Sequence, residues 1–225
     1  MCGHFAMDYA ALIGLFHEYV LDGEDATPPV RDAWPPAGEF YPSRGARHTV
    51  APVLLNREGR RRFENFRWDL VPDWWDGPVS EKKFASFNAR GETIAGRAAF
   101  RGPWRKRQRC LVPATAFYEW PDRKGMPPGM RRREHRIALA DTPVFWMAGI
   151  WDACPDRETR STLHSFALIT TAANKAVAEI PHTRMPVILK KEDETAWLDA
   201  HVPPEEAAHM LCPYPENQMI IETPG

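Results

Sequence analysis

Apolar positions along this chain recur mostly at the spacing of strands. TVAPVLLN (49–56) and RRFENFRWDLV (61–71) are predicted strands, with NREGR turning between them. RCLVPATAFYEW (109–120) reads as one buried strand. HRIALA (135–140), PVFWMAGIW (143–151), LHSFALITT (163–171), MPVILK (185–190) and QMIIE (218–222) follow. Helical spacing is confined to four stretches. DYAALIGLFHEYV (8–20) has Asp8 as its cap and Leu12, Ile13, Leu15, Phe16 and Tyr19 as its stripe. ETIAGRAAFRGPWRKR (92–107) is expected to break at Gly102–Pro103. ANKAVAEI (173–180) and KEDETAWLDA (191–200) are short, the second with acids in its first turn. Residues 21–40 and 121–134 read as exposed loops, and VPDWWDGP (71–78) as an aromatic turn. Strands dominate and no βαβ rhythm appears. The expectation is an α+β fold: a single compact domain over residues 1–225, with a mainly antiparallel, barrel-like β core and peripheral helices.

Composition narrows the setting. No apolar run approaches a membrane span, and no basic-then-apolar leader opens the chain. The four cysteines, Cys2, Cys110, Cys154 and Cys212, form no CxxC pair. That argues against a metal site and a disulfide scaffold, and for a reducing, cytoplasmic setting. The net charge of -1 hides a segregation. Residues 97–136 carry twelve Lys or Arg against three acids, and residues 184–225 three against eight. A basic middle focuses a field toward polyanions, unless it is simply a solvated face.

Four stretches carry candidate chemistry. The chain begins MCGHF. Trimming of Met1, favoured by a small second residue, leaves Cys2 with a free α-amine and a thiol on adjacent carbons. The pair can condense with an aldehyde to an imine and then a thiazolidine; the bland alternative is a small buried hydrophobe. FASFNARGET places Asn88 and Arg90 two residues apart beside strand-like sequence. ATAFYEW sets Glu119 between Tyr118 and Trp120, either exposed on one strand face or held in a pocket with a raised pKa. EIPHTRMPVIL holds His182 in a Pro-bounded turn, where a lone histidine is ordinarily structural.

Taken in order, MCGHF, WDLVPDWW, FNARGET, FYEW and HTRMPVIL resemble the SOS response-associated peptidase family, from Met1 to about Leu189. The resemblance implies processing of abasic sites in single-stranded DNA, with Cys2, Asn88, Glu119 and His182 as active residues. It also implies phosphate contact by Arg90, stacking of bases on Trp68, Trp74 and Trp75, and no cofactor or metal. No obligate protein partner and no membrane are expected, and the default state is a monomer. Two positions depart from the family pattern. His4 stands where arginine is usual, which predicts a weaker, pH-sensitive phosphate contact. Asp69 replaces a glycine, which predicts an altered turn or repulsion of a phosphate.

The mechanism so implied has the Cys2 amine attack the ring-opened sugar aldehyde and the thiol close a thiazolidine. Glu119 and His182 would move protons, and Asn88 would hold the N-terminus or a sugar hydroxyl. Two rivals share these residues. A general cysteine peptidase would use Cys2 as nucleophile and His182 as base, with removal of its own Met1 as the main cleavage. A noncatalytic single-strand binder would use the basic patch and tryptophans but not Cys2.

Overall fold

A computed structural model of the chain describes residues 2–19, 38–43, 49–121, 132–180 and 182–223. Its strands are β1 (Phe5–Ala6), β2 (Glu39–Phe40), β3 (Val50–Arg57), β4 (Arg60–Trp68), β5 (Asn88–Arg90), β6 (Arg109–Ala114), β7 (Ala116–Glu119), β8 (His135–Leu139), β9 (Phe145–Asp156), β10 (Ser161–Ala172), β11 (Arg184–Pro186) and β12 (Met219–Glu222). The helices are α1 (Tyr9–Tyr19), α2 (Ala98–Arg105), α3 (Lys175–Ala178), α4 (Glu194–Leu198) and α5 (Pro204–Ala207). Strands β10, β4, β3, β6 and β9 close into a barrel, with β9 pairing back onto β10. β5 and β11 add to β10, and a second sheet runs β12-β8-β7-β1-β2. Among the described residues only the β10–β4 and β10–β5 pairs are parallel. The mixed α+β, barrel-centred architecture is the one the strand pattern predicts.

Alternation along the barrel strands feeds two cores. Val53, Leu55, Val112, Phe166 and Leu168 join Phe5, Phe117 and Ile137 of the second sheet in one cluster. Their neighbours Leu54, Leu111, Ala167 and Ile169 pack with Phe100, Trp104, Trp197 and Leu198 of α2 and α4. Both faces of these strands are thus buried, which is why their sequences read as continuous apolar runs. Between β6 and β9 the approach is close enough to require Gly149, where a Cβ would lie 2.7 Å from Cys110 Sγ.

The elements differ from expectation in several places. The single strand expected over 109–120 is two, β6 in the barrel and β7 in the second sheet. They part at Thr115, whose N–H donates to Ala6 O at 2.8 Å. α2 does not break at Gly102–Pro103 but runs through it. Burial of Phe100, Pro103 and Trp104 holds the helix despite the missing N–H. In MPVILK only β11 belongs to the ladder, and Val187 and Leu189 bond individually to Ile169 and Trp146. Elsewhere the local signals hold: Asp8 Oδ1 accepts from Ala11 N at 2.9 Å at the start of α1. The NREGR turn places Glu58 and Gly59 at φ 54° and 80°, the paired positive values of a tight hairpin. Of the loop expected over 21–40, residues 21–37 lie outside the described residues, as do 122–131 of the basic loop over 121–134. The end of the first is not loop, because Glu39–Phe40 pairs with Phe5–Ala6 as β2.

Candidate active site

Register alone brings the chain's beginning to Glu119. β1 pairs antiparallel with β7, Phe5 opposite Phe117 and Ala6 opposite Ala116. Continued two residues, the same register sets Gly3 opposite Glu119. The Tyr118 N–H donates to His4 O at 3.0 Å, which holds the ladder to that point. β5 lies parallel to β10 with Asn88 beside Leu168, and β11 lies antiparallel with Arg184 beside Ala172. Asn88 and the segment carrying His182 are therefore both hung on β10.

Side chains connect these elements. Asn88 Nδ2 donates to Cys2 O at 2.7 Å. His182 Nε2 lies 3.0 Å from Glu119 Oε2, both side chains being buried. Its Nδ1 faces Trp120 O at 3.1 Å; a carbonyl only accepts, so Nδ1 carries a hydrogen. Glu119 and His182 therefore hold one proton between them, as neutral acid and neutral imidazole or as carboxylate and imidazolium. Cys2 is fully buried. Burial pushes its thiol pKa well above the ordinary range, and the Glu119 charge adds to the rise. At rest the sulfur is a thiol. Its contact with His4 O, at 3.9 Å, is long.

The other candidates fall in different places. Arg90 is exposed at the end of β5. Trp74 is 51% exposed and Trp75 is half-buried. Their turn is rigidly tied: Val71 N donates to Ser165 Oγ at 2.8 Å, Asp73 N to Asp152 Oδ2 at 2.9 Å and Trp74 Nε1 to Ala98 O at 3.2 Å. Trp68 needs correction as a stacking residue. It is wholly buried, stacked on Phe166 and donating to Phe87 O, so its ring has no face for a base. His4 needs correction too: it is 1% exposed and faces carboxylates, so it offers no surface to a phosphate.

Asp69 has a φ of 154°, a backbone conformation that favours glycine. Its carboxylate does not face outward. Lys82 Nζ donates to Oδ2 at 2.7 Å and Ser86 N to Oδ1 at 2.7 Å, so the charge is paired inside the fold. The expected repulsion of a phosphate has no outward-facing charge behind it. The basic run is also partly structural. Arg109 is buried, its pKa lowered by burial to about 10, and it donates to Asp199 O and Val202 O.

Two residues escaped the sequence reading. Arg184 forks onto Glu92 at 2.7 and 2.9 Å and donates to Thr170 O at 2.6 Å. This clamp ties the His182 segment to the turn after Arg90. Both lie within the recognised motifs, two residues from His182 and from Arg90, and that adjacency was the available signal. Among the described residues no three His, Cys, Asp or Glu side chains converge as a metal site.

Barrel, second sheet and paired groups around residue 2 together define a class of protein with its candidate centre at its own N-terminal end. The chain belongs to the SOS response associated peptidase (SRAP) family, whose model matches residues 1–223. It is 30% identical to the abasic site processing protein YoqW of Bacillus subtilis, over 97% of this chain and 90% of that one. It is also 30% identical to the abasic site processing protein HMCES of Pongo abelii, over 80% of this chain and 60% of that one. A crystal structure of a protein from Bacteroides thetaiotaomicron superposes with a TM-score of 0.83 at 27% identity, covering 99% of this chain and 91% of that one.

Proposed function

We propose that this protein processes abasic sites in single-stranded DNA by forming a covalent thiazolidine link through Cys2 after loss of Met1. The names of its relatives support the substrate. The observation that carries the chemistry is the anchoring of Cys2 by Asn88 within the field of the Glu119–His182 pair.

The steps balance without an added reactant. The Cys2 α-amine attacks the C1′ aldehyde of the ring-opened sugar, forming a C–N bond and, after proton transfer, a carbinolamine. Loss of the hydroxyl as water, with a proton from the Glu119–His182 pair, gives the protonated imine. The thiol then adds to the C=N carbon; sulfur bonds to carbon, nitrogen keeps the hydrogen it carried as the amine, and the thiol proton returns to the pair. One water leaves overall. The Glu119–His182 pair already holds a mobile proton, so it can protonate the departing hydroxyl and recover a proton from the thiol. Asn88 Oδ1 has no hydrogen-bond partner among the described residues, which leaves it to accept from a sugar hydroxyl. Arg90 would take a flanking phosphate and Trp74 a neighbouring base. The ring is slower to hydrolyse than an imine, so the link shields the strand from cleavage.

Full burial of Cys2, which also raises its thiol pKa, keeps the sulfur from an external peptide and disfavours the general peptidase. Removal of Met1 by the chain itself remains compatible with the site. The working picture is a cytoplasmic monomer acting without a cofactor.

The deciding experiment mixes the protein with single-stranded DNA bearing one abasic site. A covalent band surviving denaturation is expected, absent with intact DNA and with Cys2→Ala. A version with uncleaved residues fused ahead of Cys2 should also fail, because its amine is then an amide. Equal crosslinking by that fusion would overturn the amine-plus-thiol chemistry.

A further inference from the structure

A reactive residue at a chain end must be held, because ends fray. The β1 ladder covers only Phe5 and Ala6, so Cys2 lies three residues beyond it. His4 occupies the gap, and it is held on both ring faces and at Nδ1. The imidazole is stacked on Tyr41, with centroids 4.2 Å apart and planes at 19°, and on Tyr118, at 3.9 Å and 13°. At the ring edge, Nδ1 lies 2.7 Å from Glu134 Oε1, and Nε2 lies 3.6 Å from Glu39 Oε2. Carboxylates from two separate segments thus meet one ring between two tyrosines.

Aromatic faces above and below, with acceptors at the edge, suit a flat, donor-bearing side chain. Imidazole fills the slot incompletely. Nε2 is buried without a hydrogen-bond partner among the described residues, since 3.6 Å to Glu39 is too far. A guanidinium is also flat, stacks on aromatic rings and carries more donors, so arginine would reach both carboxylates.

We propose that His4 is a positioning residue: its slot pins the N-terminal segment and so sets Cys2 against Glu119 and His182. The role of Cys2 rests on the function proposed above; the pinning does not. Removing the ring's donors loosens the strand at His4 O, to which Tyr118 N donates, and lets Cys2 wander. A phosphate contact would instead act on DNA affinity.

The test compares His4→Phe, His4→Ala and His4→Arg. Affinity is measured with single-stranded DNA carrying a tetrahydrofuran abasic analogue, which has no aldehyde. The single-turnover crosslinking rate is measured with saturating abasic DNA. A geometric misplacement of the reacting group predicts a rate loss of about tenfold or more for Phe and Ala, and Arg within about threefold of the parent. Affinity should stay within about twofold throughout, because no phosphate contact is removed. Parent-like rates in His4→Phe would overturn the proposal. So would weakened affinity with an unchanged saturated rate, or His4→Arg as slow as His4→Ala. If the parent forms no adduct, the proposed function has failed, and hydrogen exchange at the Tyr118 amide still decides the pinning. Its protection should drop about tenfold in His4→Phe and recover in His4→Arg. Unchanged protection would refute it. Should the His4 variants not fold, Glu39→Gln/Glu134→Gln, at two half-exposed positions, takes their place in both measurements. Parent-like values there would overturn the proposal.

Discussion

His182 turns one ring nitrogen to the Trp120 carbonyl and the other to Glu119, so the pair must share a single proton. A shared proton is what the proposed crosslinking chemistry needs twice, once to expel water and once to receive the thiol hydrogen. Glu119→Gln keeps a hydrogen bond to the ring but removes the exchangeable proton. Crosslinking should slow by about 10² or more, within the range of general acid–base catalysis, with little change in DNA affinity. Single-turnover gel assays measure it, and a parent-like rate would make Glu119 a structural residue.

Asn88→Ala deletes the donor to Cys2 O and leaves the backbone pairing of β5 with β10 in place. Loss of one buried hydrogen bond and of its positioning should cost about tenfold in crosslinking rate. The thermal midpoint should shift by only a few degrees, as read by circular dichroism.

Arg90→Ala should weaken binding to single-stranded DNA and lower the slope of log K against log salt by about 0.7, the value for one phosphate contact on a single strand. Arg109→Ala, which removes a buried side chain tied to Asp199 O and Val202 O, should instead lower stability and leave the slope alone. An unchanged slope for Arg90→Ala would remove it from the phosphate contacts.

Burial raises the Cys2 thiol pKa, so at any given pH less thiolate is present than on a free cysteine. Iodoacetamide should therefore label exposed Cys212 well before Cys2 at neutral pH. The lag should persist on raising the pH toward 9, where an unshifted thiol would begin to react. Peptide mass spectrometry of timed samples gives both rates; equal labelling at neutral pH would contradict a buried, protonated Cys2.

Asp69→Gly sets two effects against each other. Glycine relieves a φ of 154°, a gain of about 1–3 kcal/mol. It also leaves the buried Lys82 ammonium unpaired, a loss of about 3–5 kcal/mol. Net destabilisation is expected in urea unfolding, and Asp69→Gly/Lys82→Met should recover most of it. A more stable single variant would mean that the ion pair contributes little.

The sequence by itself determined the local elements and the candidate chemistry. Asp8 as a cap, Glu58–Gly59 as a turn and the strand-rich pattern act over a few residues, where propensity and spacing decide. The ordered motifs marked Cys2, Asn88, Glu119 and His182. Tertiary structure decided what those residues face. The split of 109–120 depends on Ala6, the burial of Trp68 on Phe166, and the neutralisation of Asp69 on Lys82 and Ser86. His4 shows the limit most clearly. A histidine after MCG reads locally as a lost positive charge. Only pairing of β1 with β2 and β7 brings Glu39, Tyr41 and Tyr118 around it, while Glu134 arrives from the segment before β8. Such contacts join residues far apart in the chain, and no spacing rule within one strand can encode them.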